Sequence, residues 1–162
     1  MVQNSKTMKT LIVYQSKNGT TKKFAEEIAK RVEKATGNVK VQSLENTTSQ
    51  DIQDCDLLYL GCWTKGRFIF GQKPDEKWID FSHKMPDVEG KRTVLFTTYS
   101  VASGNMFRKM KQHVTPKGYN VIGSMKSTDG KIDYFSIAVL KYSLNYKEAV
   151  HERYIRDYAE VS

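Results

Sequence analysis

Apolar and β-branched residues cluster at Thr10–Gln15 (TLIVYQ) and predict a buried strand. The SKNGTT that follows is wholly polar, and KKFAEEIAKRVEKATG then places Phe24, Ile28 and Val32 on one helical face. Gly37 and Asn38 supply a helix stop, and Asn38 to Leu44 alternates as a second strand. Asn46 to Asp54 is polar with room for a short helix, whereas the unbroken apolar run from Asp56 to Gly61 predicts a third strand covered on both faces. Gly61 to Lys73, with three glycines among aromatic and basic residues, reads as a long loop. A helix opening at Pro74 or Asp75 presents Trp78, Phe81 and Met85 and closes at Pro86 and Gly90. Lys91 to Tyr99 predicts a fourth strand, and Asn105 caps a helix carrying Met106, Met110 and Val114, stopped by Pro116 and Gly118. Tyr119 to Met125 is the fifth strand, and Tyr146 to Val161, with Val150, Tyr154 and Tyr158 in register, predicts a final helix. Between them Ile132 to Tyr146 is more apolar than a connection requires; it reads as a displaced start of the last helix, a packed core helix or a contact with anionic lipid.

Five strand–helix units imply a parallel sheet, because each right-handed crossover lays its helix over a sheet face. The expected fold is a three-layer α/β sandwich, one domain over residues 8–162 with residues 1–7 as a mobile extension before Met8. A length of 162 residues with 39% hydrophobic and 27% charged residues fits one ordered domain. Two cysteines, Cys55 and Cys62, exclude a disulfide scaffold and lack zinc spacing, which points to a cytoplasmic protein. Nothing reaches the roughly 20 apolar residues of a membrane span. The net charge of +8 calls for an anionic ligand, partner or surface; nucleic acid is disfavoured because zinc-finger, RNP and Arg-rich signals are lacking and the cations are dispersed.

Ligands of open α/β sheets bind beyond the carboxyl ends of the strands, which directs attention to the loops after the first, third and fourth. Ser16-Lys17-Asn18-Gly19-Thr20-Thr21 sets hydroxyl and amide side chains around one glycine at a helix start, a pattern suited to a phosphate or to an ordinary turn with a Thr cap. It has neither the GK[ST] ending of a Walker loop nor the glycines of a dinucleotide turn.

KTLIVYQSKNGTTKKFAEEIA resembles the opening of the flavodoxin family, with its strand, [TS]-x-[TN]-G-x-T loop and amphipathic helix. The resemblance implies a flavodoxin-like fold with five parallel strands in the order 2-1-3-4-5 and non-covalently bound FMN. It assigns phosphate contacts to Ser16, Asn18, Gly19, Thr20 and Thr21, with Lys17 contributing backbone. DLLYLGCWTKGRF is similar to the family's second flavin loop; Trp63 stands where the family has proline, Thr64 matches, and Lys65, followed by Gly66, takes the place of a stacking aromatic. In the third loop, Tyr99, Ser100, Val101, Ala102 and Gly104 fall where the family holds the polar edge of the ring, without its usual acidic residues.

The remaining candidates carry less chemistry. His83, His113 and His151 are dispersed over three predicted helices without a metal-binding spacing and read as solvated or partly packed, and Cys62, which lacks a resolving partner, reads as a buried structural residue. No Ser/His/Asp order or GxSxG elbow is present. Flavodoxins are usually acidic, and the reversed charge, with Lys65 and Arg67 beside the expected ring, predicts stabilisation of anionic reduced FMN and redox partner proteins with acidic docking surfaces. The leading expectation is an electron carrier between a reductase and an acceptor. Two alternatives stay open: an FMN-dependent oxidoreductase acting on a quinone or protoporphyrinogen-like substrate, since the placement of the 132–146 stretch faintly resembles the aromatic and aliphatic segment of the flavodoxin-like protoporphyrinogen dehydrogenases, and a binding module that has lost FMN.

Overall fold

The computed structural model describes residues 7–67 and 70–146. The expected N-terminal extension, apart from Thr7, and the expected helix over Tyr146 to Val161, apart from Tyr146, lie outside those residues. Six strands and five helices follow in the order β1 (Thr10–Gln15), α1 (Thr20–Thr36), β2 (Val39–Ser43), α2 (Ser49–Asp54), β3 (Leu57–Arg67), β4 (Phe70–Pro74), α3 (Glu76–Lys84), β5 (Lys91–Thr98), α4 (Met106–Val114), β6 (Tyr119–Ser127) and α5 (Tyr134–Leu144).

The sheet order is β2-β1-β3-β5-β6, all parallel, which is the expected 2-1-3-4-5 arrangement of five strands. β4 adds a sixth, antiparallel to the extended end of β3, with Thr64 opposite Pro74 and Lys65 opposite Lys73. This corrects the reading of 61–73 as a loop. The hairpin depends on a bulge at Gly66, whose φ of 150° is in glycine territory and whose Cβ would meet the Gln72 backbone at 3.0 Å. Its outer face is held by Lys109, whose Nζ donates to the Gln72 carbonyl at 2.7 Å.

The apolar strand runs divide by period two. Leu11, Val13, Leu58, Leu60 and Leu95 pack with Trp78, Met106, Met110 and Val114 on one face; Ile12, Leu57, Tyr59, Val94 and Phe96 pack with Phe24, Ile28, Val32 and Leu140 on the other. An uninterrupted apolar strand is thus the signature of burial on both sides. α2 opens on a capping box between Thr48 and Asp51, and α3 is capped by Asp75, whose carboxylate accepts from Lys77 N. Asn105 precedes α4 without a side-chain cap bond. The 132–146 stretch forms α5, which buries Ser136, Leu140 and Ser143 on the sheet; the Ser143 hydroxyl lies 2.6 Å from Tyr59 Oη. Tyr134 and Phe135 of the same helix are exposed.

Two of the dispersed histidines meet: the His83 and His113 rings on α3 and α4 are 5.5 Å apart, and His113 also abuts the edge of buried Trp78 at 6.0 Å. Burial first, and then the charge of His83, hold the His113 pKa below its ordinary value. As pH falls through about 6.5 the unfolded chain takes up this proton before the folded one, so the stability present above that pH is lost as pH falls through the lower folded-state pKa. Urea denaturation is expected to show a midpoint that drops between about pH 7.5 and 5.5, and His113→Gln should flatten the drop.

Candidate functional site

β1 and β3 are neighbours in the sheet, yet the chain leaves them toward opposite sides, and a crevice opens at their carboxyl ends. Around it lies a cleft of about 260 Å³ lined by Lys17, Asn18, Thr20, Trp63, Thr64, Gly66, Thr98, Tyr99, Ser100 and Thr128. Eight of these are among the residues expected from the sequence.

The first wall is the turn between β1 and α1. Gly19 is the N-cap residue of α1, with φ 93° in the left-handed region, and it gives the helix no side-chain cap. The Gly19 N–H donates to Ser16 Oγ at 3.0 Å, and Thr20 Oγ donates to Asn18 Oδ1 at 3.3 Å, which ties the turn into a compact polar loop. A helix start without a side-chain cap presents its first N–H groups and its positive dipole end to an anion. No atom stands within 4 Å of where a Gly19 Cβ would be, so this wall faces open space. The structure therefore gives the helix a glycine cap where a threonine cap was the plain alternative.

The second and third walls are the end of β3 and the segment after β5. Threonine hydroxyls join them beneath the cleft: Thr97 Oγ donates to the Cys62 carbonyl at 2.7 Å, Thr64 Oγ lies 2.8 Å from Thr97 Oγ, and Thr21 Oγ lies 2.6 Å from Thr98 Oγ. These bonds fix the first loop and the end of β3 to the same strand, β5. Each wall also carries a ring with a cation over it, Lys17 Nζ at 4.9 Å from the Trp63 centroid and Lys126 Nζ at 5.6 Å from the Tyr99 centroid.

The other expected site residues are placed differently. Ser16 and Gly19 belong to the loop behind the lining, and Thr21 is buried in its bond to Thr98. Lys65 Nζ binds Glu76 Oε2 at 2.5 Å, a pairing that pushes the Glu76 carboxyl down to about 2. Lys65 is thereby held in an ion pair rather than offered to a ring. Gly104 packs against the Gln72 side chain, Ala102 is half-buried outside the lining, and Val101 projects outward, 63% exposed. Cys62 is fully buried; burial pushes its thiol up to about 12 and that of Cys55 to about 11, leaving both as inert packing groups.

Thr98, which falls within the predicted third loop, and Thr128 were not singled out from the sequence. Thr98 is the last residue of β5 and carried no separate signal. Thr128 follows β6, and the rule that sites gather at strand carboxyl ends would have found it had the fifth loop been included. A larger groove of about 400 Å³ lies between the 44–49 segment and α3, with Leu44, Ile52, Phe81 and Met85 in its walls. It lacks the combination of helix-start donors and paired rings, and chemistry outweighs size in choosing between the two.

The cleft suits a planar ring bearing one phosphate, because its uncapped helix start can take the anion and its two aromatic side chains can take the ring. The described helices include none long and apolar enough to cross a membrane, and no group of three or more metal-ligating side chains occurs among the described residues.

Comparison with known proteins agrees with this geometry. A family model described as flavodoxin matches residues 12–138. The flavodoxin of Megasphaera elsdenii is 32% identical over 113 residues, covering 70% of this chain and 81% of the relative. The flavodoxin of Clostridium beijerinckii is 29% identical over 112 residues, covering 68% and 79%. The solution structure of two-electron reduced M. elsdenii flavodoxin superposes with a TM-score of 0.73 at 26% identity, covering 83% of this chain and 97% of that one.

Proposed function

The chain belongs to the flavodoxin family and so binds FMN and transfers electrons, and on that premise we propose how its own residues hold the cofactor and meet a partner. Bound FMN supplies reversible uptake of one or two electrons. The phosphate is held by the loop from Ser16 to Thr21, with Lys17, Asn18 and Thr20 lining the cleft and the free N–H groups and dipole at the start of α1 facing the anion. Trp63 and Tyr99 flank the ring and exclude water from it, while the backbone of Thr64, Gly66 and Ser100, which line the cleft, meets its polar edge. Thr98 and Thr128 complete the floor. The observation that carries this assignment is the cleft itself, which joins an uncapped helix start to two aromatic side chains.

The test is spectroscopic. Apoprotein titrated with FMN should quench flavin fluorescence at a one-to-one stoichiometry with micromolar or tighter affinity, and Trp63→Ala should weaken binding about tenfold, corresponding to roughly 1.4 kcal/mol of lost stacking. Retention of full affinity by Trp63→Ala would remove Trp63 from the site.

The partner is an acidic redox protein, in a cytoplasmic setting that suits two buried thiols. Support comes from the net charge of +8 and from the cleft's surroundings, where the cations Lys17 and Lys126 accompany exposed apolar Val101, next in sequence to the lining residue Ser100. Stopped-flow association with such a partner is expected to slow about tenfold or more between low salt and 0.5 M salt as the opposing charges are screened. An on-rate that rises with salt would assign the face to a basic partner.

A further inference from the structure

Four cations lie on the segments that wall the cleft, and their surroundings divide them; Lys17 lines the cleft itself, and Lys126 lines an adjoining hollow with Tyr99, Thr128, Asp129 and Asp133. Lys65 is bound to Glu76 at 2.5 Å, and Lys73 lies 3.5 Å from the same carboxylate. Lys17 and Lys126 have no carboxylate partner among the described residues; each rests instead over an aromatic ring, Trp63 in one case and Tyr99 in the other. They arise from different places, the loop after β1 and the end of β6, yet they approach the two rings that face one cleft. A cation over a ring face is attracted by the ring quadrupole without the countercharge of a carboxylate beside it, as it would have in an ion pair.

We propose that Lys17 and Lys126 set the reduction potential of the bound FMN, making this chain a weaker reductant than it would be with neutral residues at these two positions. The inference rests on the FMN reading above. Two electrons from the reductase and one proton from water convert oxidised FMN to its reduced monoanion, so the ring system gains one net negative charge. Two fixed ammonium groups at the flanking rings attract that added charge, and they bind the reduced form more tightly than the oxidised form. The difference in affinity is the shift in potential. The Lys65 ammonium, whose charge is balanced by Glu76, contributes little, so the tuning passes from the residues nearest in sequence to a pair joined only by the fold.

The experiment uses FMN-loaded protein in dye-coupled reductive titrations with Lys17→Gln, Lys126→Gln and, as a control, Lys34→Gln in the distant last turn of α1. Each of the first two substitutions should lower the ratio of affinities for reduced over oxidised FMN by about threefold to tenfold, tenfold being roughly 30 mV for a two-electron couple. The shift should shrink in 1 M salt, where the Debye length is about 3 Å, and Lys34→Gln should leave the potential unchanged. Potentials unaltered in both variants with FMN still bound would overturn the proposal, as would an equal shift from Lys34→Gln. Failure of the unaltered protein to bind FMN is a separate result, seen before any potential is measured, and would remove the cofactor reading itself.

Discussion

Gly61→Val is expected to destabilise the fold by about 3 kcal/mol, at the upper end of ordinary overpacking. Gly61 sits in the central strand β3 opposite Phe96 of β5, and the Phe96 ring leans over it so closely that an added Cβ would lie 2.1 Å from the ring edge. The ring has no free space to retreat into: Phe96 is fully buried and meets Phe24 of α1 edge to face at 5.8 Å. Insertion of a branched side chain would therefore push α1 away from the sheet or force Phe96 out of its rotamer. With a urea m-value near 2 kcal/mol/M, the midpoint should fall by about 1.5 M with little change in slope. The double substitution with Phe96→Ala should recover part of the loss, since the new side chain would then occupy the vacated space. A midpoint shift below about 0.3 M, or a double variant as unstable as the sum of the two, would show that this contact does not demand glycine.

The second large effect is on FMN. Thr20→Asp is expected to weaken FMN binding at least a hundredfold, a loss of about 2.7 kcal/mol, without loss of stability. Thr20 is the first residue of α1 and lines the cleft, so a carboxylate there would stand where the phosphate is proposed to sit. Two like charges about 4 Å apart repel by about 1 kcal/mol in water and about 4 kcal/mol at the effective dielectric of a protein surface. The same carboxylate suits the helix, since the first turn of α1 has no acidic residue and its dipole favours one by about 0.3–1 kcal/mol. Binding and stability should thus move in opposite directions. Thr20→Ser, which keeps the hydroxyl, should stay within about threefold of the original affinity, or roughly 0.65 kcal/mol. Full FMN affinity in Thr20→Asp would place the phosphate elsewhere.

The first loop was legible because everything that defines it is local. Ser16 through Thr21 are consecutive, and the strand before them and the helix after them follow from the apolar run TLIVYQ and from Phe24, Ile28 and Val32. The hairpin of β3 and β4 was not legible, because its composition is that of a loop and its pairing is stabilised from outside. The bulge at Gly66, the Lys65–Glu76 pair and the bond from Lys109 to Gln72 all join residues whose partners a sequence does not announce. The same separation hid the role of the cations. Lys65 and Arg67 were expected beside the ring because they are close along the chain, whereas Lys126 reaches Tyr99 from the next strand of the sheet, and Lys17 reaches Trp63 across the crevice.

The sequence by itself determined the alternation of strands and helices, the parallel sheet, the phosphate-type loop and the membership of a family that binds FMN. Each of those rests on periodicity or on contiguous residues, where physical preference is written within a few positions. Only the tertiary structure decided which side chains share the cleft, which cations there are paired with a carboxylate, and that His83 meets His113. Those outcomes depend on contacts across strands and helices, whose distances are set by the packing of the whole sheet rather than by any one segment.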